Sequence, residues 1–181
     1  MTHTPRNYWM MSVTASYFEA VREKNLSIAG LTKSHKKRVQ RMEIGDRLIY
    51  FIVGELVFPA IATITDTYFV DESALFPETS DGEIFPYRVK TKKDYLLPED
   101  RRIDARLIAP RLEYLRKWPP EKWPLAFQGL LHLVPKADFL LLESEIRRAR
   151  RKKRPLHPIG KFDSYGKDIN CEFDQMASKV Y

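Results

Sequence analysis

The sequence predicts an α+β fold, a sheet or barrel flanked by helices, and three observations carry that prediction. First, Gly45-Asp46 is a turn pair followed by Leu48–Val53, an apolar run rich in aromatic and β-branched residues and too short for an isolated helix. Such a run suits a strand buried on both faces, central to its sheet. Second, Gly54-Glu55 turns the chain into Leu56–Thr65, which alternates from Ala60 onward, so the two runs form a hairpin. Third, helical signals lie on either side of this hairpin in the chain, at Ser16–Glu19 and from Asp138 to about Arg151.

Taken in order, Asn7–Val13 reads as the first strand. Ser16-Tyr17-Phe18-Glu19 has capping-box spacing and predicts a helix to about Asn25, with Phe18, Val21 and Tyr17 facing the core. Leu26–Thr32 reads as a connecting segment, and His35–Met42 as a short basic helix. Pro59 lacks a ladder donor, which places it at an edge or a bulge of the second hairpin strand. Asp66–Glu83, with its acids, Pro77, Ser80 and Gly82, reads as a surface excursion. Ile84–Leu97 predicts a third long strand, and Leu107–Leu115 a short helix with Pro110 in its first turn. In Lys117–Gly129 the prolines hold Trp118 and Trp123 on a stiff backbone. Leu130–Val134 is the last strand, and the final helix docks Phe139, Leu142 and Ile146.

The net charge of +7 in 181 residues is concentrated in two places. Lys33–Arg41 holds five basic residues and no acid, and Arg147–Arg154 is basic except for Ala149. Such patches suit phosphate contacts, although a solvated helix face is the plainer explanation of any basic run. The division expected is a domain over 1–150 and a loosely ordered basic extension over 151–181. No stretch has the length of a membrane span, and the N-terminus lacks the basic-then-apolar form of a signal peptide. The single cysteine, Cys171, fits a reducing compartment, so a cytoplasmic protein is expected.

Chemistry is hard to find. His3, His35, His132 and His157 have no carboxylate or cysteine at a metal-ligand spacing, and there is no Gly-rich phosphate loop or Gly-x-Ser-x-Gly elbow. No metal, no cofactor and no catalytic residue is therefore expected. Aromatic side chains near turns are plentiful instead. Most are explained as core, but Trp118 and Trp123 sit in a proline-rich loop where a binding role is as good an explanation.

Several short motifs occur in a fixed order: Tyr8-Trp9, Gly30-Leu31 with Lys33 and His35-Lys36, Gly45-Asp46 before Leu48-Ile49-Tyr50, Pro86-Tyr87-Arg88-Val89-Lys90, then Trp123, Phe127 and Gly129 before Val134-Pro135. In this order the chain resembles the EVE domain family, relatives of the YTH readers within the PUA-like fold. The resemblance implies a strongly bent or barrel-like mixed sheet and a pocket for a flipped-out, modified nucleobase. By this likeness Ser12, Val13, Thr14, Gly30, Leu31, Tyr50, Trp118, Trp123, Phe127 and Gly129 line the pocket. Ala29 stands where related sequences often carry tryptophan and Thr14 where asparagine is common, so one cage wall is missing or comes from Trp118.

The expectation is a non-enzymatic reader of DNA or RNA carrying a modified base, with no membrane partner. Lys33, Lys36, Lys37, Arg38, Arg88, Arg147, Arg150 and Arg151 would hold phosphates. One alternative is a nuclease or RNA-processing enzyme in which Lys33, Lys37 or Arg88 acts with Glu19 or Asp46. Another is a homo-oligomer or partner-docking module built on the C-terminal helix.

Overall fold

The computed structural model of the chain describes residues 7–79 and 82–151. Its centre is the predicted hairpin, β3 (Arg47–Ile52) and β4 (Val57–Ile64). The first strand, β1 (Tyr8–Val13), lies beside β3 in parallel, Tyr8 against Arg47 through Val13 against Ile52. On its other edge β1 pairs antiparallel with β8 (Leu131–Leu133). Beyond β4 comes β6 (Tyr87–Leu96), and beyond that β2 (Ile28–Leu31), giving the order β2-β6-β4-β3-β1-β8. Two short strands, β5 (Phe69–Val70) and β7 (Ile103–Asp104), add to β6 and β4.

The sheet is mixed and curled, and β6 shows how it curls. Its first half, Tyr87–Lys90, pairs with β2, while Thr91–Leu96 pairs with β4. A register shift where Ile61 and Ala62 face Tyr95 and Lys93 leaves Asp94 as the extra residue. Bulges of this kind bend a strand and increase its twist. Pro59 sits at a second irregularity, between the pairs Tyr50–Ala60 and Ile52–Val57, so the bulge and not an edge accommodates its missing donor.

Both faces of the sheet are covered, because β1 and β3 alternate two sets of apolar side chains. Trp9, Met11, Val13, Leu48, Tyr50 and Ile52 join one core, closed by Tyr17, Phe18 and Val21 of helix α1 (Ala15–Glu23). Tyr8, Met10, Ile49 and Phe51 join the other, closed by Phe139, Leu142 and Ile146 of the C-terminal helix (Lys136–Arg151). Each such side chain contributes about 1.5–3 kcal/mol on burial.

One buried carboxylate locks the start of this arrangement. Asp46, 1% exposed, accepts hydrogen bonds from the Asn7 backbone N–H at 3.0 Å, Trp9 Nε1 at 2.9 Å and the Glu43 N–H at 3.2 Å. It joins the beginnings of β1 and β3, the two strands that share both cores. Asp46 is thus a structural anchor and not a surface acid available to a phosphate.

Several expectations need correction. Helix α1 starts one residue before Ser16, and Thr14 caps it: extended backbone at the end of β1 brings its Oγ1 within 3.2 Å of the Tyr17 N–H. Ser16 lies inside the first turn. Leu26–Thr32 is not a mere connection, because β6 supplies a ladder for Ile28–Leu31. The basic helix is a 3-10 turn, Lys33–His35, followed by the short α2 (Lys36–Val39). Leu107–Leu115 divides into α3 (Ala105–Ile108) and 3-10 turns over Ala109–Arg111 and Glu113–Leu115, leaving Pro110 at the start of the first of these turns. The C-terminal helix is accordingly α4. Asp138 in its first turn accepts the N–H groups of Glu113 and Tyr114, both at 2.8 Å, tying those turns to it. Of the extension expected over 151–181, all but Arg151 lies outside the described residues, including Lys152, Lys153, Arg154, His157 and Cys171, as does His3.

Candidate functional site

The C-terminal ends of the parallel pair β1 and β3 open into a cavity of about 610 Å³. That size falls in the range of small-molecule pockets. Its floor is Ser12 and Val13 of β1, with Val53 just after β3; Tyr17, Phe85 and Phe127 give it aromatic surface. Thr14 and Ser16 from the start of α1, Thr32, Ser34 and His35 after β2, and Thr79 and Gln128 from loops make its walls polar. Pro77, Glu78, Glu83, Gly129 and Leu130 complete it.

Why this opening is shaped can be traced to two buried residues. The Tyr17 hydroxyl accepts from the Gly30 N–H at 2.7 Å and donates to the Gly30 carbonyl at 2.8 Å, fastening α1 to β2. Its ring stacks on Phe76 at 4.8 Å and 12° and leans on Phe85 at 4.9 Å. Arg88, 1% exposed, donates from Nε to the Phe85 carbonyl at 3.2 Å and from Nη1 to Ser73 Oγ at 2.9 Å. It also ion-pairs with Asp71 and donates to the Ser73 carbonyl. The supposed surface excursion over 66–83 is therefore pinned at Asp71, Ser73 and Phe76, and the next residues form a cavity wall.

One polar atom on the floor is unusual. Ser12 is 6% exposed, and its N–H is satisfied by the Leu130 carbonyl at 2.9 Å, yet its Oγ has no hydrogen-bond partner. Buried hydroxyls are normally paired, so this one is a polar group left unsatisfied within the cavity floor, enclosed from solvent as the Tyr50 hydroxyl is.

Of the residues expected to line a pocket, Ser12, Val13, Thr14, Phe127 and Gly129 converge on the cavity. Gly129 has φ of 90°, a conformation that favours glycine. Gly30, Leu31 and Tyr50 do not line it. Leu31 and Tyr50 are fully buried in the core, and Gly30 supports the cavity from behind Tyr17. Trp118 and Trp123 are elsewhere, in a groove of about 500 Å³ with Arg106, Ala109, Pro110, Leu112, Leu115, Arg116 and Pro120. No tryptophan borders the cavity, and Tyr17, Phe85 and Phe127 are at most 7% exposed, so the aromatic surface is a floor and not a cage. Ser16, Thr32, Ser34, His35, Thr79 and Gln128 were not among the residues expected to line a pocket, although Ser16 stood out as a capping residue and His35 within a family-like motif. They are ordinary polar residues brought together by turns.

The expected phosphate contacts divide in the same way. Lys33, Lys36, Lys37 and Arg38 are exposed on the segment that supplies Thr32, Ser34 and His35, but none of them lines the cavity; Lys36 stands over the Tyr87 ring and Arg38 donates to the Leu131 carbonyl. Arg88 is removed from this set, since burial and the Asp71 pair consume its charge. Arg147, Arg150 and Arg151 are exposed on α4, which packs on the opposite face of the sheet, with Arg147 and Arg150 over the Tyr95 ring. Among the described residues no cluster of potential metal ligands occurs, and no helix is long and apolar enough to cross a membrane.

Two imidazoles adjoin the site. His35 Nδ1 lies 2.9 Å from Thr32 Oγ1 and 3.0 Å from Ser34 Oγ. His132 donates from Nε2 to the Gly129 carbonyl at 2.9 Å, which leaves Nδ1 to accept from the Tyr114 hydroxyl at 3.0 Å. Desolvation holds both below the usual histidine range. The Arg38 charge adds to this in each case, while the Gly129 carbonyl pulls His132 back upward. A lowered folded-state value means the unfolded chain binds protons more readily, so this stability is present above about pH 6.5 and lost as pH falls through the folded values. The melting temperature should fall between pH 7 and pH 5, and His35→Gln with His132→Gln should flatten that slope. An unchanged slope in the double variant would refute the assignment.

A family profile described as the EVE domain matches residues 7–117. A UPF0310 protein of Pyrococcus abyssi is 24% identical over 147 residues, covering 76% of this chain and 98% of that protein. A UPF0310 protein of Pyrococcus horikoshii is 26% identical over 147 residues, covering 75% and 96%. Among solved structures, the Mmi1 YTH domain aligns with a TM-score of 0.56 at 12% identity, over 84% of this chain and all of that one (100%). The YTH domain of the Zygosaccharomyces rouxii MRB1 protein in complex with N6-methyladenosine RNA aligns with a TM-score of 0.53 at 14% identity, over 80% and 90%. At such identities the likeness is one of fold, a PUA-like one.

Proposed function

Because the chain belongs to the EVE domain family, we propose that it binds nucleic acid without chemical turnover, taking one flipped-out, modified base into the cavity at the ends of β1 and β3. The observation that carries this reading is a polar-walled cavity at the strand ends with an unpartnered hydroxyl, Ser12 Oγ, buried at its floor. A base leaving its stack needs its edge groups satisfied, and Ser12, Thr14, Thr32, Ser34 and Gln128 offer donors and acceptors. Tyr17, Phe85 and Phe127 supply the apolar surface that a methyl group would meet. The exposed Lys33, Lys36, Lys37 and Arg38 suit the backbone phosphates, which position the strand while the cavity discriminates. The cavity reading depends more on hydrogen bonds than on an aromatic sandwich. The N6-methyladenosine RNA held by the MRB1 YTH domain makes methylated adenine a sensible first probe, in RNA and in DNA.

The enzymatic alternative finds less support. Asp46 lies at the start of β3, whereas the cavity opens at its end, and Glu19 is engaged by Arg22 and Arg102. A pairing of two copies through α4 also has little to draw on, since Phe139, Leu142 and Ile146 are used within the fold and Leu140 is the exposed large apolar residue of that helix.

Ser12→Ala tests the proposal cleanly. The hydroxyl has no protein partner to lose, so the melting temperature should hold or rise, while affinity for an oligonucleotide with one methylated adenine should drop about tenfold. Titration calorimetry on both proteins measures this. Equal affinities would remove Ser12 from the site, and the absence of any preference for methylated over plain oligonucleotides would remove the modified-base reading.

A further inference from the structure

We propose that the groove holding Trp118 and Trp123 is a second nucleic-acid contact, on which an unpaired nucleotide neighbouring the flipped one stacks its base. This rests on the reading of the cavity as a nucleic-acid site. Trp118 is 41% exposed, a large apolar ring to leave in water, and Pro119 and Pro120 stiffen the backbone that presents it. Trp123 stands edge-on to the buried Phe127 at 5.7 Å and 74°, which fixes one wall of the groove. A flat, rigid indole suits any base, because every base offers a π-face.

The charge around the groove selects the partner. Arg106 and Arg116 line it, with 60% and 75% of their side chains exposed, and their pairs with Asp104 at 3.0 Å and Glu113 at 3.6 Å are solvated and weak. Lys117 and Lys122 directly precede the two tryptophans, and the stretch from Arg106 to Trp123 carries five basic residues against two acidic ones. Aromatic ring plus cationic rim is the pairing that single-stranded nucleic acid requires.

Continuity with the cavity gives the contact its register. The 3-10 turn Trp123–Phe127 presents Trp123 to the groove, and its last residue, with Gln128 and Gly129, lines the cavity. At about 2 Å per residue the crossing from Trp123 to Gln128 is roughly 10 Å along the turn. A strand with one base in the cavity would cross this turn and bring a neighbouring nucleotide over Trp118.

The probes are a short single-stranded oligonucleotide with one central N6-methylated adenine, made as RNA and as DNA, and the corresponding free methylated mononucleotide. Trp118→Ala should weaken oligonucleotide binding about tenfold and leave mononucleotide binding unchanged, whereas Ser12→Ala should weaken both. Arg116→Glu, at an exposed position, should repeat the Trp118→Ala result and keeps the test valid should that variant misfold. Unchanged oligonucleotide affinity in both groove variants, with Ser12→Ala still weakened, would overturn the second contact and leave the cavity reading standing. Failure of the unaltered protein to bind either probe would overturn both. Quenching of tryptophan fluorescence by a glutamate-rich peptide that depends on Trp118, with none by the oligonucleotide, would overturn the proposal in favour of an acidic protein partner.

Discussion

Asp46→Ala should lower folding stability by about 3 kcal/mol or more, the loss expected when a charged acceptor is removed from several buried N–H donors. The carboxylate receives donors from Asn7, Trp9 and Glu43, including the Asn7 side-chain Nδ2 at 3.2 Å. Alanine cannot accept any of them, and the buried Trp9 Nε1 would be left in an apolar setting without water. Because these bonds link β1 to β3, the loss reaches both cores. For a domain of this size about 1 kcal/mol corresponds to 2–4 °C, so the melting temperature should fall on the order of 10 °C. Asp46→Asn keeps one acceptor and should lie between. A change below about 1 kcal/mol in denaturant unfolding would mean that water or another group replaces the carboxylate.

Gly30→Ala should disturb stability and ligand binding together. A Cβ at this position would lie 2.5 Å from Phe76 Cε2, 2.8 Å from Cδ2 and 2.9 Å from Phe85 Cβ. Those are overlaps, so the ring must move. Phe76 is stacked on Tyr17, and Tyr17 is bonded to Gly30 through both backbone groups. Overpacking of this type costs about 1–3 kcal/mol. Displacing Phe76 also shifts Pro77, Glu78 and Thr79 on the cavity wall, so affinity should fall although Gly30 itself touches no ligand. Adding Phe76→Leu gives the new methyl room and should recover part of the stability in thermal melts. A double variant less stable than Gly30→Ala would show that the clash is relieved elsewhere.

The central hairpin was legible because its signals are local: a Gly-Asp turn, an apolar run, a second turn and alternation. The docking face of α4 was legible for the same reason, through the spacing of Phe139, Leu142 and Ile146. β2 was not, since Ile28-Ala29-Gly30-Leu31 has too little bulk to announce a strand and becomes one through β6. Arg88 looked like a surface cation because it alternates with Val89, yet a curled sheet with a loop folded over it buries both. The Trp118–Gly129 segment showed that it mattered but not where it pointed. Its turns send Trp118 and Trp123 toward α3 and bring Gln128 and Gly129 to the cavity, a division that depends on Phe127 being anchored against Phe51 at 4.8 Å. Ser12, Val13 and Thr14 at the end of β1 were singled out in the sequence and line the cavity; the loop that closes it is held by long-range contacts that no local pattern encodes.

The place of β1 between β3 and β8 has a consequence for the order in which the molecule is assembled. β1 is made early, but its ladder to β3 must wait for residues about forty positions later, and its other edge waits for Leu131–Leu133. Pairings so distant in sequence slow folding, and an unpaired strand edge invites mispairing in the interval. A nascent chain that has reached only residue 117, where the family match ends, lacks both that edge and the Leu130 carbonyl that accepts from Ser12. The floor of the cavity is thus among the first segments to leave the ribosome and among the last to be finished, which makes the segment through Leu133 a condition for the cavity and not an accessory to it.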